Sequence, residues 1–173
     1  MRAFLVRDLA AGSLVTTVAG LPLMLPPVRS LIRRRARFAT PAERYVPVTD
    51  GIVEVVEAVR AGAPDARIVL VDYLTVIGAP AQQSRTLPLT TDEQELVRAT
   101  AGGLAAAFVA AAEQTGVELV RASEASVDHG VGSPEPWVTG FEWGNPLAGG
   151  KIPYHPTLAG MTAVAEMIVR QLT

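Results

Sequence analysis

From Val46 to Arg60 the apolar residues Val48, Ile52, Val55, Val56 and Val59 recur at three- and four-residue steps, which predicts an amphipathic helix. Asp50 and Glu54 lie early in it and Arg60 late, the arrangement that a helix macrodipole favours. Ala61-Gly62-Ala63-Pro64-Asp65-Ala66 ends that helix and turns the chain. The period then changes. Arg67-Ile68-Val69-Leu70-Val71-Asp72-Tyr73 is a nearly continuous β-branched run, the pattern of a strand buried on both faces of a parallel sheet. Leu74 to Leu89 reads as a loop, and Thr90 with Glu93 forms a capping box that opens the next helix. Leu96, Leu104, Phe108 and Ala111 mark its inner face, Gly102-Gly103 weakens its middle, and Gly116 closes it. Val117-Glu118-Leu119-Val120 is a second, shorter strand, and Ser123 to Gly150 a second long loop. In the last helix Leu158, Met161, Val164, Ala165, Ile168 and Val169 recur at helical spacing, with Thr157 as N-cap and Pro156 tolerated beside it. Two strands that each follow a helix predict a layered α/β fold with right-handed crossovers.

The first 37 residues break this rhythm. Between Asp8 and Arg29 twenty residues carry no charge, and Arg29, Arg33, Arg34, Arg35 and Arg37 then cluster. A membrane anchor or signal peptide is one reading. Against it, Gly12, Gly20, Pro22, Pro26 and Pro27 interrupt the run, and Asp8 falls where a signal peptide's apolar region should begin. The basic cluster would also place the following chain in the cytoplasm, which does not fit a secreted C-terminal domain. The other reading, narrowly preferred, is an apolar segment on a protein core followed by a solvated basic turn, with anionic lipid as the sharper partner for Arg33-Arg34-Arg35. The chain therefore divides into an apolar segment and basic turn, 1–45, and an α/β portion, 46–173.

Composition narrows the chemistry. A length of 173 residues suits one domain with a sizeable core. A net charge of −2 gives no reason to expect nucleic acid as a partner. The chain has no cysteine, which excludes disulfides, thiolate metal sites and cysteine nucleophiles. Its two histidines, His129 and His155, lie in no zinc-binding pattern, so neither cofactor nor metal is expected. His155 sits where a loop gives way to the last helix, the kind of rigid entrance from which a general base can face a cleft. A lone histidine beside prolines is otherwise a structural residue.

Tyr154-His155-Pro156-Thr157-Leu158-Ala159-Gly160-Met161, followed by an alanine-rich helix, resembles the C-terminal histidine motif of the SGNH (GDSL-type) esterases and lipases, His-Pro-Asn-x-x-Gly-His/Met. The helix, Ala-Pro-Asp-Ala turn and buried strand around residue 65 resemble the centre of actinobacterial members. Asp128 to Gly140 resembles their Gly-His…Cys…Pro-Trp-Val-Asn-Gly loop, without the cysteine or its partner in the earlier loop. Losing both together removes a staple that contributes on the order of 2–4 kcal/mol. The resemblance implies a three-layer α/β/α sandwich around a parallel sheet, flavodoxin-like and incomplete at its N-terminus. It implies ester hydrolysis with His155 as base. The aspartate usual three residues earlier is replaced by Ile152, whose backbone carbonyl is a candidate to orient the ring, with Asp128 and Glu142 as alternatives. Trp137, His129 and Tyr154 are the pocket candidates. Trp137 and Trp143 read equally as loop anchors, and His129 as a surface hydrogen-bonding group.

The family's Gly-Asp-Ser and Gly-x-Asn-Asp motifs are missing. Ala11-Gly12-Ser13-Leu14 echoes the first superficially, so Ser13 is a candidate nucleophile, set against a small residue in an apolar helix or turn. Asn145, the only asparagine, reads as a turn residue. The resemblance thus covers about residues 46–173, and the expectation is the C-terminal part of such an enzyme: a truncated reading frame, a mis-set start or a degenerate paralogue. The expected partner is a small ester or lipid. Weak membrane association through residues 9–28 and self-association through an exposed sheet edge complete the expected partners. The competing class is a non-catalytic binding or membrane-associated protein on the same fold. The cytoplasm is slightly favoured over a membrane-associated or secreted location.

Overall fold

The computed structural model describes residues 41–78, 81, 83–141 and 153–173, with backbone alone for 41–43. The candidate residues Ser13, Glu142, Trp143, Asn145 and Ile152, and the apolar run 9–28, lie outside them. The described elements run α1 (Pro41–Gly62), β1 (Val69–Val71), α2 (Thr91–Thr115), β2 (Glu118–Val120), α3 (Ala122–Ala125) and α4 (Leu158–Leu172). The first helix starts five residues before the stripe that predicted it and carries Pro47 inside. α2 opens on the expected capping box: the Thr90 hydroxyl accepts from Glu93 N–H and the Glu93 carboxylate accepts from Thr90 N–H at 2.8 Å. It closes on Gly116 in the left-handed region, φ 65°, as a glycine C-cap permits.

β1 and β2 pair in parallel, Val69 with Glu118, Leu70 with Leu119 and Val71 with Val120. Asp72 N–H donates to the Val120 carbonyl and extends the ladder by one bond, 3.2 Å. α2 is the crossover between them, packed chiefly on α1. It is long and apolar enough to cross a membrane, but parallel strands on either side require it to return along the sheet. The architecture is α/β.

Two expectations are corrected. β1 is three residues long and half-buried rather than fully buried, and among the described residues it pairs with β2 alone. Leu104, assigned to the inner face of α2, is exposed. Gly103 sits beside it for a packing reason. A Cβ there would fall on the Tyr45 ring of α1, 2.7 Å from Cδ2, so the glycine is the notch through which the two helices approach.

The main core cluster lies beyond the carboxyl ends of the strands. Leu74, Ile77 and Leu87 from the first long loop bury against Ala122, Val131 and Val138. Val164 and Met167 of α4 pack on it from the side. The two loops are joined by hydrogen bonds from Val131 N–H to the Val76 carbonyl, 2.9 Å, and from Thr75 N–H to Ser126 Oγ, 2.7 Å. Gly130 closes against Gly78, where a Cβ would meet Gly78 N at 2.7 Å. These contacts tie together the loops that a disulfide joins in the family that the sequence resembles.

Candidate active site

The site is built at the carboxyl ends of β1 and β2, the usual position for a ligand in an open α/β sheet. Asp72, directly after β1, is buried, with its carboxylate accepting from Ser123 N–H at 2.8 Å and from the Ser123 hydroxyl. A buried carboxylate is costly unless hydrogen-bonded, and these two bonds tie the end of β1 to the start of α3. Tyr73 then projects from a fixed point. Its side chain is about half exposed, and its hydroxyl donates to the Tyr154 carbonyl at 3.2 Å.

Tyr154 holds φ 64°, the left-handed region, which costs a non-glycine residue of order 1–2 kcal/mol. It persists because both its backbone groups are engaged: its N–H donates to the Thr139 carbonyl at 3.0 Å, and its carbonyl accepts from Tyr73. His155 follows. Its N–H donates to Thr139 Oγ1 at 3.1 Å, and its carbonyl accepts from Thr139 N–H at 2.8 Å. A short antiparallel bridge between Val138 and Pro156 continues this pairing. Thr157 N–H donates to the Trp137 carbonyl at 2.8 Å, and the Thr157 hydroxyl reaches the Pro136 carbonyl at 3.1 Å while capping Gly160 N–H. The backbone on both sides of His155 is thereby pinned to the Pro136–Thr139 segment. The residue is exposed, and among the described residues its imidazole has no hydrogen-bond partner.

The other candidates separate from it. The His129 ring stacks on Trp137 with centroids 4.1 Å apart and planes 6° from parallel, and its Nδ1 is 2.9 Å from the Glu135 carbonyl. Trp137 also packs on the core, as does Tyr154, whose phenol is pushed above its ordinary pKa by burial. Asp128 is exposed and makes no hydrogen bond to His155. Tyr73 and Thr139 contribute to the site without having been singled out by sequence. The signal available for them was adjacency: Tyr73 ends a predicted strand, and Thr139 stands two residues after Trp137 in the loop resembling Pro-Trp-Val-Asn-Gly.

Gly160 explains one more motif position. It is buried, and a Cβ there would fall on the Trp137 carbonyl oxygen and 3.0 Å from its carbonyl carbon. This close approach sets the roll of α4. Val164 and Met167 face the core, while Leu158, Met161 and Val169, expected inside, are more than half exposed. A shallow groove of about 430 Å³ on that outer face is lined by Thr162, Ala165, Glu166, Val169 and Arg170, none of them a candidate site residue. Among the described residues no three acidic or histidine side chains converge to hold a metal.

No protein-family profile matches the chain, and no curated protein is similar to it in sequence. Among solved structures, phospholipase A1 from Streptomyces albidoflavus NA297 is similar, with a TM-score of 0.56 and 20% identity. The likeness covers 77% of this chain and 58% of that one, so the chain spans under two thirds of the length of the phospholipase. At that identity the likeness shows a shared fold over the aligned part alone.

Proposed function

We propose that this chain is an SGNH-type ester hydrolase domain, built on a three-layer α/β/α plan, in which His155 is the general base. The observation that carries the reading is His155 itself: an exposed imidazole on a backbone pinned by Thr139, at the carboxyl end of a parallel sheet. The lipase fold of its structural neighbour supports the same chemistry. In such a reaction His155 takes the proton of a serine hydroxyl as that oxygen attacks the ester carbonyl, and returns it to the leaving alcohol. Three of the four described serines have their hydroxyls engaged elsewhere. Ser123 and Ser126 are committed to Asp72 and the Ala122 carbonyl, Ser84 bonds Thr86, and the buried Ser133 hydroxyl has no hydrogen-bond partner among the described residues. The nucleophile that the resemblance offers is Ser13, which lies outside the described residues. The Ile152 carbonyl is the group proposed to fix the imidazole tautomer, and Trp137, His129 and Tyr154 the pocket wall. The substrate is a small carboxylic ester or a lipid.

The test is hydrolysis of p-nitrophenyl butyrate by the full chain and by His155→Ala. Turnover abolished in the variant supports the reading; equal turnover in both, or none in a folded wild type, overturns it. A second reading, a binding or membrane-associated protein on this fold, is favoured by the exposed Leu158, Met161, Val169 and Leu172 of α4. It predicts sedimentation with anionic vesicles that is lost when Leu158, Met161 and Val169 are replaced by serine.

A further inference from the structure

The peptide group between Tyr154 and His155 is held at both ends. Its carbonyl accepts from the Tyr73 hydroxyl at 3.2 Å, and its N–H donates to Thr139 Oγ1 at 3.1 Å. The plane of that peptide sets the direction in which the His155 side chain leaves the backbone. Among the described residues nothing holds the imidazole itself, so within them its aim depends on the backbone, beside whatever the proposed Ile152 carbonyl adds. Thr139 is a near neighbour in the same short bridge, whereas Tyr73 is 81 residues away in sequence and reports the position of β1. β1 in turn is fixed by the buried Asp72 carboxylate on Ser123.

We propose that Tyr73 is a positioning residue for His155: its hydroxyl holds the strained Tyr154 carbonyl and so registers the catalytic loop on the carboxyl end of the sheet. The proposal rests on the reading of His155 as a base. The φ of 64° at Tyr154 gives the bond something to do, because a tyrosine released from it gains by leaving the left-handed region. At 3.2 Å the bond is long for a hydroxyl donor, so it is a modest restraint and its loss moves the loop without unfolding the domain. Burial pushes the Tyr73 phenol above its ordinary pKa.

The experiment is Tyr73→Phe, which removes one oxygen from a half-exposed ring and is compatible with folding. Two readouts are taken on the full chain. In histidine-labelled protein the imidazole Cε1–H resonance of His155 is expected to shift and broaden while that of His129 stays in place. In ester hydrolysis kcat is expected to fall about tenfold with KM unchanged, as for a catalytic group displaced by a fraction of an ångström. A merely structural tyrosine would lower the melting temperature and leave both the resonance and kcat where they are, and that result overturns the proposal. If the wild type hydrolyses no ester, the ester reading fails by itself. The NMR comparison still decides whether Tyr73 positions His155: a resonance superposed on that of the wild type overturns the proposal.

Discussion

Gly160→Ala perturbs the contact on which the site is assembled. The added methyl would fall on the Trp137 carbonyl oxygen and lie 3.0 Å from both its carbonyl carbon and its Cβ. The obstacle is mainly backbone, so no rotamer change relieves it. α4 must back away by about 1 Å to regain ordinary contact distance, an overpacking that costs about 1–3 kcal/mol. The same carbonyl accepts from Thr157 N–H at 2.8 Å, and weakening that bond adds about 1 kcal/mol. Against these stands the better helix propensity of alanine, up to about 1 kcal/mol in a helix interior and less in a first turn. The balance is a loss of about 1–3 kcal/mol, which for a chain of this size lowers the melting temperature by roughly 3–10 °C. Thermal unfolding by circular dichroism measures it. Gly102→Ala in α2 is the control, because a Cβ there meets nothing within 4 Å and propensity alone should raise stability slightly. If Gly160→Ala melts at or above the wild type, like Gly102→Ala, then the approach of α4 to the Trp137 loop is not what holds the His155 segment.

Three further outcomes follow from named contacts. The Arg67 guanidinium grips the Glu118 carboxylate at 2.6 and 2.9 Å and the last carbonyls of α4, at Gln171 and Leu172, with Gln171 donating to the same carboxylate. Arg67 first, and Gln171 second, hold the Glu118 carboxyl down at about 2 against an ordinary 4.5, so its stabilising effect is present above pH 4.5 and is lost as pH falls towards 2. The melting temperature of Glu118→Gln should thus lie below that of the wild type near neutrality and converge with it near pH 2; a gap constant over that range would contradict the assignment. Asp72→Ala leaves Ser123 N–H without its acceptor at the strand ends, and chemical denaturation should show a loss of about 1–3 kcal/mol, whereas an unchanged midpoint would mean that the pair does not join β1 to α3. Gly130→Ala, whose Cβ would meet Gly78 N at 2.7 Å and the Val76 carbonyl at 3.0 Å, should destabilise by about 1–3 kcal/mol and raise protease sensitivity at 74–78; resistance equal to the wild type would refute the proposed loop junction.

Elements whose signals are local were readable in the sequence. The Thr90–Glu93 box, the Gly116 left-handed cap and the Thr157 cap each depend on residues within one turn, and the structure has all three. What sequence could not place was decided across long separations. The helical period of α4 marks apolar positions on two sides, and only the approach of Gly160 to the Trp137 carbonyl selects Val164 and Met167 for the core. Both stretches 74–89 and 123–150 read as long loops, and their Leu74, Ile77, Leu87, Val131 and Val138 join Ala122 in the main core cluster, because apolar residues in irregular backbone have no period to betray them. At the site, the resemblance drew attention to His155 from its own motif. Tyr73 and Thr139 reach it through hydrogen bonds to the backbone, which leave little trace in residue type.

The most direct test of the account is to label the purified full chain and His155→Ala with a fluorophosphonate probe, then map the modified peptide. The account predicts one labelled serine outside the described residues, with labelling lost in the variant. No label on a well-folded wild-type chain, or equal label in both proteins, would contradict a role for His155 as the base of a serine hydrolase.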